Sequence, residues 1–200
     1  MAWLNYFDLV HWVGWLGYIG LFIIVFSEMG LFFAFILPGD SLALSAGILA
    51  KQGHFDIWMV SSVLMLGAYL GYLFGYWFGQ RLGHWLMKRE DGMFFKKEYV
   101  TRSHKFFERH GGKALMLGRL VPIVRTFVSI VAGMGEMNYK RFLLYNFLGA
   151  VLWGGGLTLL GYFLGTLVPN ISRIFLPIVI VVLLISLVPG IIKYWKERKK

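Results

Sequence analysis

Three stretches of this chain, 57–78, 142–168 and 174–192, run without a single charged side chain. A membrane-spanning helix needs roughly 20 mostly apolar residues, and each stretch is long enough. In lipid every backbone polar group must be satisfied inside its own element, so runs of this kind fold as helices. A fourth run, 16–35, has the length but carries Glu28 within it. Composition agrees. Hydrophobic residues make up 58% of the 200 residues, charged residues 15%, and mean hydropathy is +0.66. Soluble domains carry about 25% charged residues. The fold expected is an all-α integral membrane protein, a single membrane domain over 1–200.

The formal net charge of +10 is distributed unevenly. Residues 81–113 carry +5, the tail after Ile192 carries +4, and the rest of the chain +1. Basic segments flanking apolar spans stay on the cytoplasmic side. The central loop and the C-terminus are therefore expected in the cytoplasm, and the same topology accounts for the bases without nucleic acid. Residues 1–10 hold no Lys or Arg, so a cleaved signal peptide is not expected.

Two apolar segments are too broken to span. Pro38-Gly39-Asp40 should end the first helix, and the apolar run 41–50 that follows is short. Segment 114–134 contains Arg119, Pro122 and Arg125. Between two cytoplasmic segments the chain must cross an even number of times. Spans 142–168 and 174–192 already make two, so 114–136 is expected as a re-entrant hairpin from the cytoplasm. By the same logic 36–52 is one from the outer side, and both termini are cytoplasmic. Pro38, Gly39 and Pro122 mark the hairpin turns.

A shift of 86 residues superposes Ala46-Gly47 on Ala132-Gly133 and Gly75-Tyr76 on Gly161-Tyr162. Each half is a short broken segment followed by a full span, entered from opposite sides. That is the inverted repeat of many secondary transporters. The first repeat covers about 28–83, the basic loop 84–113, the second repeat about 114–168, the last helix 174–192 and the basic tail 193–200. Gly67, Gly71, Gly75, Gly79 and Gly83 recur every fourth residue, a stripe expected to pack helices closely within the fold. Residues 96–110 read as an amphipathic helix on the cytoplasmic leaflet, its bases toward anionic headgroups, with a solvated linker helix as the alternative.

Four ionisable groups fall at the breaks: Glu28, Asp40, Arg119 and Arg125. Burying a charge in the bilayer costs at least ~2.5–3.5 kcal/mol, so such groups are usually paired and usually mark a transport route. Arginine forks onto phosphate or carboxylate oxygens, and a carboxyl group in an apolar setting readily holds a proton. Arg119 and Arg125 are thus expected to bind an anion, and Glu28 and Asp40 to couple protons and form ion pairs. A purely structural Glu–Arg clamp between the two hairpins is the alternative. Gly39-Asp40-Ser41-Leu42 spells a hydrolase block, but its partner motif Asp8-x-x-His11 precedes it and both sit in membrane context. No metal site, cofactor or enzyme activity is expected. Cysteine is absent, and His11, His54, His84, His104 and His110 share no helix face.

The stretch Glu28…Phe35-Ile36-Leu37-Pro38-Gly39-Asp40-Ser41 resembles the first signature of the DedA family of bacterial membrane proteins. Gly118-Arg119-Leu120-Val121-Pro122-Ile123-Val124-Arg125-Thr126-Phe127, with Val131-Ala132-Gly133-Met134-Gly135, resembles the second. Tyr139, Phe142, Tyr145-Asn146, Gly149-Ala150, Trp153 and Gly161-Tyr162 fit as well. The resemblance covers nearly the whole chain. It implies a cytoplasmic-membrane protein with two re-entrant hairpins that moves a lipid between leaflets. The lipid implied is undecaprenyl phosphate or phosphatidylethanolamine, with dependence on the proton motive force. It also implies that Glu28, Asp40, Arg119 and Arg125 are the essential charges. This chain departs from the family pattern twice. Gly71-Tyr72 stands where many members have Gly-Asp, and Ser129 where many have Pro.

The function expected is a proton-coupled flippase for a lipid phosphate, with membrane lipids and protons as partners. A proton-coupled ion antiporter and a polyprenyl-diphosphate phosphatase are the competing classes. The sequence permits a homo-oligomer.

Overall fold

The computed structural model describes residues 2–31, 39–88 and 97–167; among them the chain is helical, with no strand. The elements are α1 (Ala2–Gly30), α2 (Gly39–Lys51), α3 (Ile57–Met87), α4 (Lys97–Leu120), α5 (Pro122–Met134), α6 (Tyr139–Ala150) and α7 (Gly156–Leu167). A π-helical turn, Val151–Gly155, joins α6 to α7. Pro38, the expected last helix 174–192 and the tail 193–200 lie outside the described residues.

Among the described residues two helices are long and apolar enough to cross a membrane: Ile57–Met87, and the continuous Tyr139–Thr166. Both leave large apolar side chains exposed, among them Leu66, Phe74, Phe147, Leu160 and Phe163. Helices apolar on their outer face belong in lipid. The Asp56 side chain caps α3 by accepting the Met59 N–H at 2.8 Å, and Asn138 caps α6 by accepting from the Arg141 N–H at 3.2 Å. These caps satisfy donors that the first helical turn leaves free.

Several boundaries differ from the sequence expectation. Helix α1 begins well before residue 16 and ends at Gly30, and α3 continues nine residues past Phe78. The amphipathic segment 96–110 and the start of 114–134 join into α4, broken at Gly111, whose φ of 59° favours glycine. Within α4 Phe107 is buried while Arg102, Lys105 and Arg109 stay exposed, as an amphipathic helix requires. The helical run is interrupted before Pro122: Val121 is extended and Pro122 opens α5, where its missing N–H costs nothing.

Packing runs between distant segments. Helix α2 lies along α7, α5 along α3, and α1 along the first half of α3. Glycines set these crossings. Gly47 sits on the Thr158–Tyr162 backbone, and Gly133 on the backbone of Tyr76 and Gln80. Gly67 and Gly71 face Phe22, Phe26 and Met29 of α1, while Gly75, Gly79 and Gly83 face Ser129, Ile130 and Met134 of α5. The stripe is thus consumed within the fold. Tyr72, Tyr76, Phe142 and Trp153 are buried at its centre.

Candidate functional site

Three of the four charged residues at the breaks, Glu28, Asp40 and Arg125, meet between α1, α2, α5 and the α6–α7 junction. Glu28 is fully buried near the end of α1. Arg125, in the first turns of α5, is 5% exposed. Its Nη2 donates to Glu28 Oε1, and its Nη1 donates to Asp40 Oδ1 at 2.5 Å. Asp40 stands in the first turn of α2, where the helix dipole favours an anion. Its side chain keeps 42% exposure, so the cluster has one wholly buried carboxylate and one that reaches the surface.

Two neighbours fix this arrangement. Gly39 passes so close to the Glu28 carboxylate that a Cβ there would collide with it. Trp153 donates its indole N–H to Asp40 Oδ1 at 2.8 Å and lies 5.6 Å from the Arg125 guanidinium. Trp153 belongs to the π turn that joins α6 to α7. The Thr158 hydroxyl bonds the Gly154 carbonyl beside that turn.

Arg119 occupies a different setting. It is 2% exposed, in the last turn of α4, and no carboxylate pairs with it among the described residues. Its Nη1 donates to the Asn146 carbonyl at 3.0 Å and its Nη2 to the Ala68 carbonyl at 2.9 Å. The guanidinium stacks 3.9 Å above the Tyr72 ring. Gly149 lets it approach α6, since a Cβ there would stand 2.8 Å from Nη1. Asn146 in turn donates to the Tyr69 carbonyl at 3.0 Å. Arg119 Nε, the Tyr72 hydroxyl and Asn146 Oδ1 are buried without a hydrogen-bond partner among the described residues. Each such group costs about 1–3 kcal/mol unless a ligand or water meets it.

The sequence-derived set therefore separates. Glu28, Asp40 and Arg125 form one bridged cluster, and Arg119 is held apart on backbone carbonyls and an aromatic face. Tyr72, flagged only as a departure from the family pattern, takes the cationic face of Arg119. The sequence reading assigned no role to Asn146 or Trp153. Their seven-residue spacing, with the small Gly149 and Ala150 between, was the signal for an inward face on this helix.

The VTT domain model matches residues 37–163 of this chain. The chain belongs to the DedA family of VTT-domain membrane proteins. It is 37% identical over 181 residues to Protein DedA of Escherichia coli (strain K12), covering 90% of this chain and 82% of that protein. It is 41% identical over 194 residues to an uncharacterised membrane protein of Mycobacterium leprae (strain TN), covering 94% and 86%. Inner membrane protein YqjA of Escherichia coli (strain K12) is 31% identical over 193 residues, covering 90% and 85%. No solved structure matches the chain. The DedA-family match takes in Asp40, Arg119, Arg125, Asn146 and Trp153, with Glu28 just before it.

Proposed function

We propose that this chain moves a lipid phosphate between the leaflets of the bacterial cytoplasmic membrane, undecaprenyl phosphate being the substrate its family resemblance implies, with proton coupling. The observation that carries the reading is the unequal treatment of the two buried arginines. Arg125 is paired with two carboxylates, while Arg119 has no carboxylate partner among the described residues; the Nε of each arginine is buried without a hydrogen-bond partner there. A buried cation without a counter-ion is costly, and an anionic headgroup supplies one. In this scheme Arg119 takes the phosphate first, with the Tyr72 hydroxyl and Arg119 Nε as donors. Proton uptake at Asp40, the exposed carboxyl group, and then at Glu28 releases Arg125 to share the phosphate. The polyprenyl tail stays in lipid, and no covalent bond is made or broken.

The topology belongs to the same reading. Segments 36–52 and 114–136 are re-entrant hairpins, and both termini face the cytoplasm. The halves are inverted repeats. In support, the 86-residue shift carries Gly47 onto Gly133 and Tyr76 onto Tyr162, and the packing exchanges these partners: Gly47 lies on Tyr162 and Gly133 on Tyr76. Each short helix thus packs on the long helix of the opposite half.

Reconstituted vesicles test the proposal. Arg119→Lys and Arg125→Lys keep the charge but lose the planar fork, and both should reduce lipid-phosphate transfer at least on the order of tenfold. Full transfer by both variants refutes the grip. The paired carboxylates also suit a proton-linked antiporter, and proton-coupled cation flux without lipid movement would favour that second reading.

A further inference from the structure

A second amphiphilic feature lies on the opposite face of α4 and α5. Val124, Phe127, Val128 and Val131 share one side of α5, while Arg125, Ser129 and Ala132 share the side packed into the core. The first set, with Phe106 and Leu117 of α4, walls a groove of about 810 Å³. Gly118 forms its floor, letting Val124 and Val128 of α5 close against α4. The only charged or titratable side chains lining the groove among the described residues are Arg109, His110 and Lys113, all exposed and all at the same end. From Lys113 to Val121 the apolar channel runs roughly 12 Å along the helix axis. No acidic side chain lines it among the described residues.

We infer that this groove binds one anionic phospholipid, its phosphate on Arg109 and Lys113 and one acyl chain along Leu117, Val121 and Val124. Charge complementarity selects this occupant. A zwitterionic phospholipid brings a phosphate but also an ammonium that offsets it, so only an anionic lipid adds net negative charge beside the two cations, and an apolar helix would place no anion on them. Basic side chains at a membrane surface each attract anionic lipid, and an apolar channel beneath adds area burial for the chain. The site is separate from the Arg119 and Arg125 cluster, whose side chains point away from it. It therefore holds whether or not the protein transports lipid.

The absence of cysteine makes the test direct. Leu117→Cys, 65% exposed in the groove, and Leu160→Cys, 56% exposed on α7, each accept one bimane label. The labelled full-length protein is placed in nanodiscs containing chain-brominated phosphatidylglycerol or phosphatidylcholine, and bimane quenching is followed against lipid fraction. At Leu117→Cys half-maximal quenching should come at a phosphatidylglycerol fraction lower, on the order of tenfold, than for phosphatidylcholine. The preference should vanish when Arg109→Gln and Lys113→Gln are added, while quenching by phosphatidylcholine persists and reports an intact groove. Label at Leu160→Cys should show no preference. Equal quenching by both lipids at Leu117→Cys, or equal selectivity at both labels, overturns the inference. Absence of quenching by either lipid at Leu117→Cys also overturns it, because protein would then cover the groove.

Discussion

Arg125 holds together two carboxylates that would otherwise repel each other inside an apolar core. Removing it as Arg125→Gln leaves Glu28 buried and unpaired, which should cost about 3–5 kcal/mol. Adding Glu28→Gln should recover part of that loss, with a coupling energy of about 0.5–3 kcal/mol in a double-mutant cycle measured by unfolding in detergent. Additive losses would remove the ion pair from the account. Gly149→Ala tests Arg119 instead, because the new methyl would stand 2.8 Å from its Nη1. Overpacking of this kind costs about 1–3 kcal/mol, so the variant should stay folded yet lose lipid-phosphate transfer. The four charges were legible in the sequence because charge at membrane depth is conspicuous. Their partners were not. Whether a guanidinium meets a carboxylate, a backbone carbonyl or a ring depends on residues 27 to 97 positions away.

Helices α2 and α5 owe their places to glycine as much as to apolar surface. At Gly47, Gly79, Gly133 and Gly161 a Cβ would run into the backbone of the facing helix. Gly47→Val and Gly133→Val should each lower the thermal midpoint in detergent, and by similar amounts, because they occupy matching places in the two halves. A loss at one and none at the other would argue against equivalent halves. Periodicity and length located every long apolar helix in the described residues, since hydropathy is local. It missed the continuation of α3 beyond Phe78, where Arg81, His84 and Lys88 follow the lipid-facing run. It also missed the π turn, because 142–168 reads as one uninterrupted span, and the packing of Met65 of α3 against Gly154 and Gly155 is not visible in the sequence. The glycine stripe gave its close packing away, but not that α1 takes its first two glycines and α5 the rest.

The whole molecule is an apolar body whose charges report two things. In the proposed mechanism the basic loop and tail set the orientation, and Glu28, Asp40, Arg119 and Arg125 carry the chemistry, hidden because they cancel in the net charge. The proposed orientation predicts that His54→Cys and Lys105→Cys, unique thiols in a chain without cysteine, react with a membrane-impermeant maleimide from opposite sides: His54→Cys from outside, Lys105→Cys only after the cytoplasmic face is opened. Labelling from the same side would dissolve the two-hairpin topology. In the proposed mechanism a proton-linked carboxylate pair and an unmatched arginine together move a lipid phosphate. That mechanism is tested most directly by following polyprenyl-phosphate transfer across proteoliposomes under an imposed pH gradient, in the native protein and in Glu28→Gln and Arg119→Lys. Transfer should follow the gradient in the native protein, ignore it in Glu28→Gln, and nearly vanish in Arg119→Lys. Transfer that ignores the gradient in the native protein, or survives undiminished in Arg119→Lys, would contradict it.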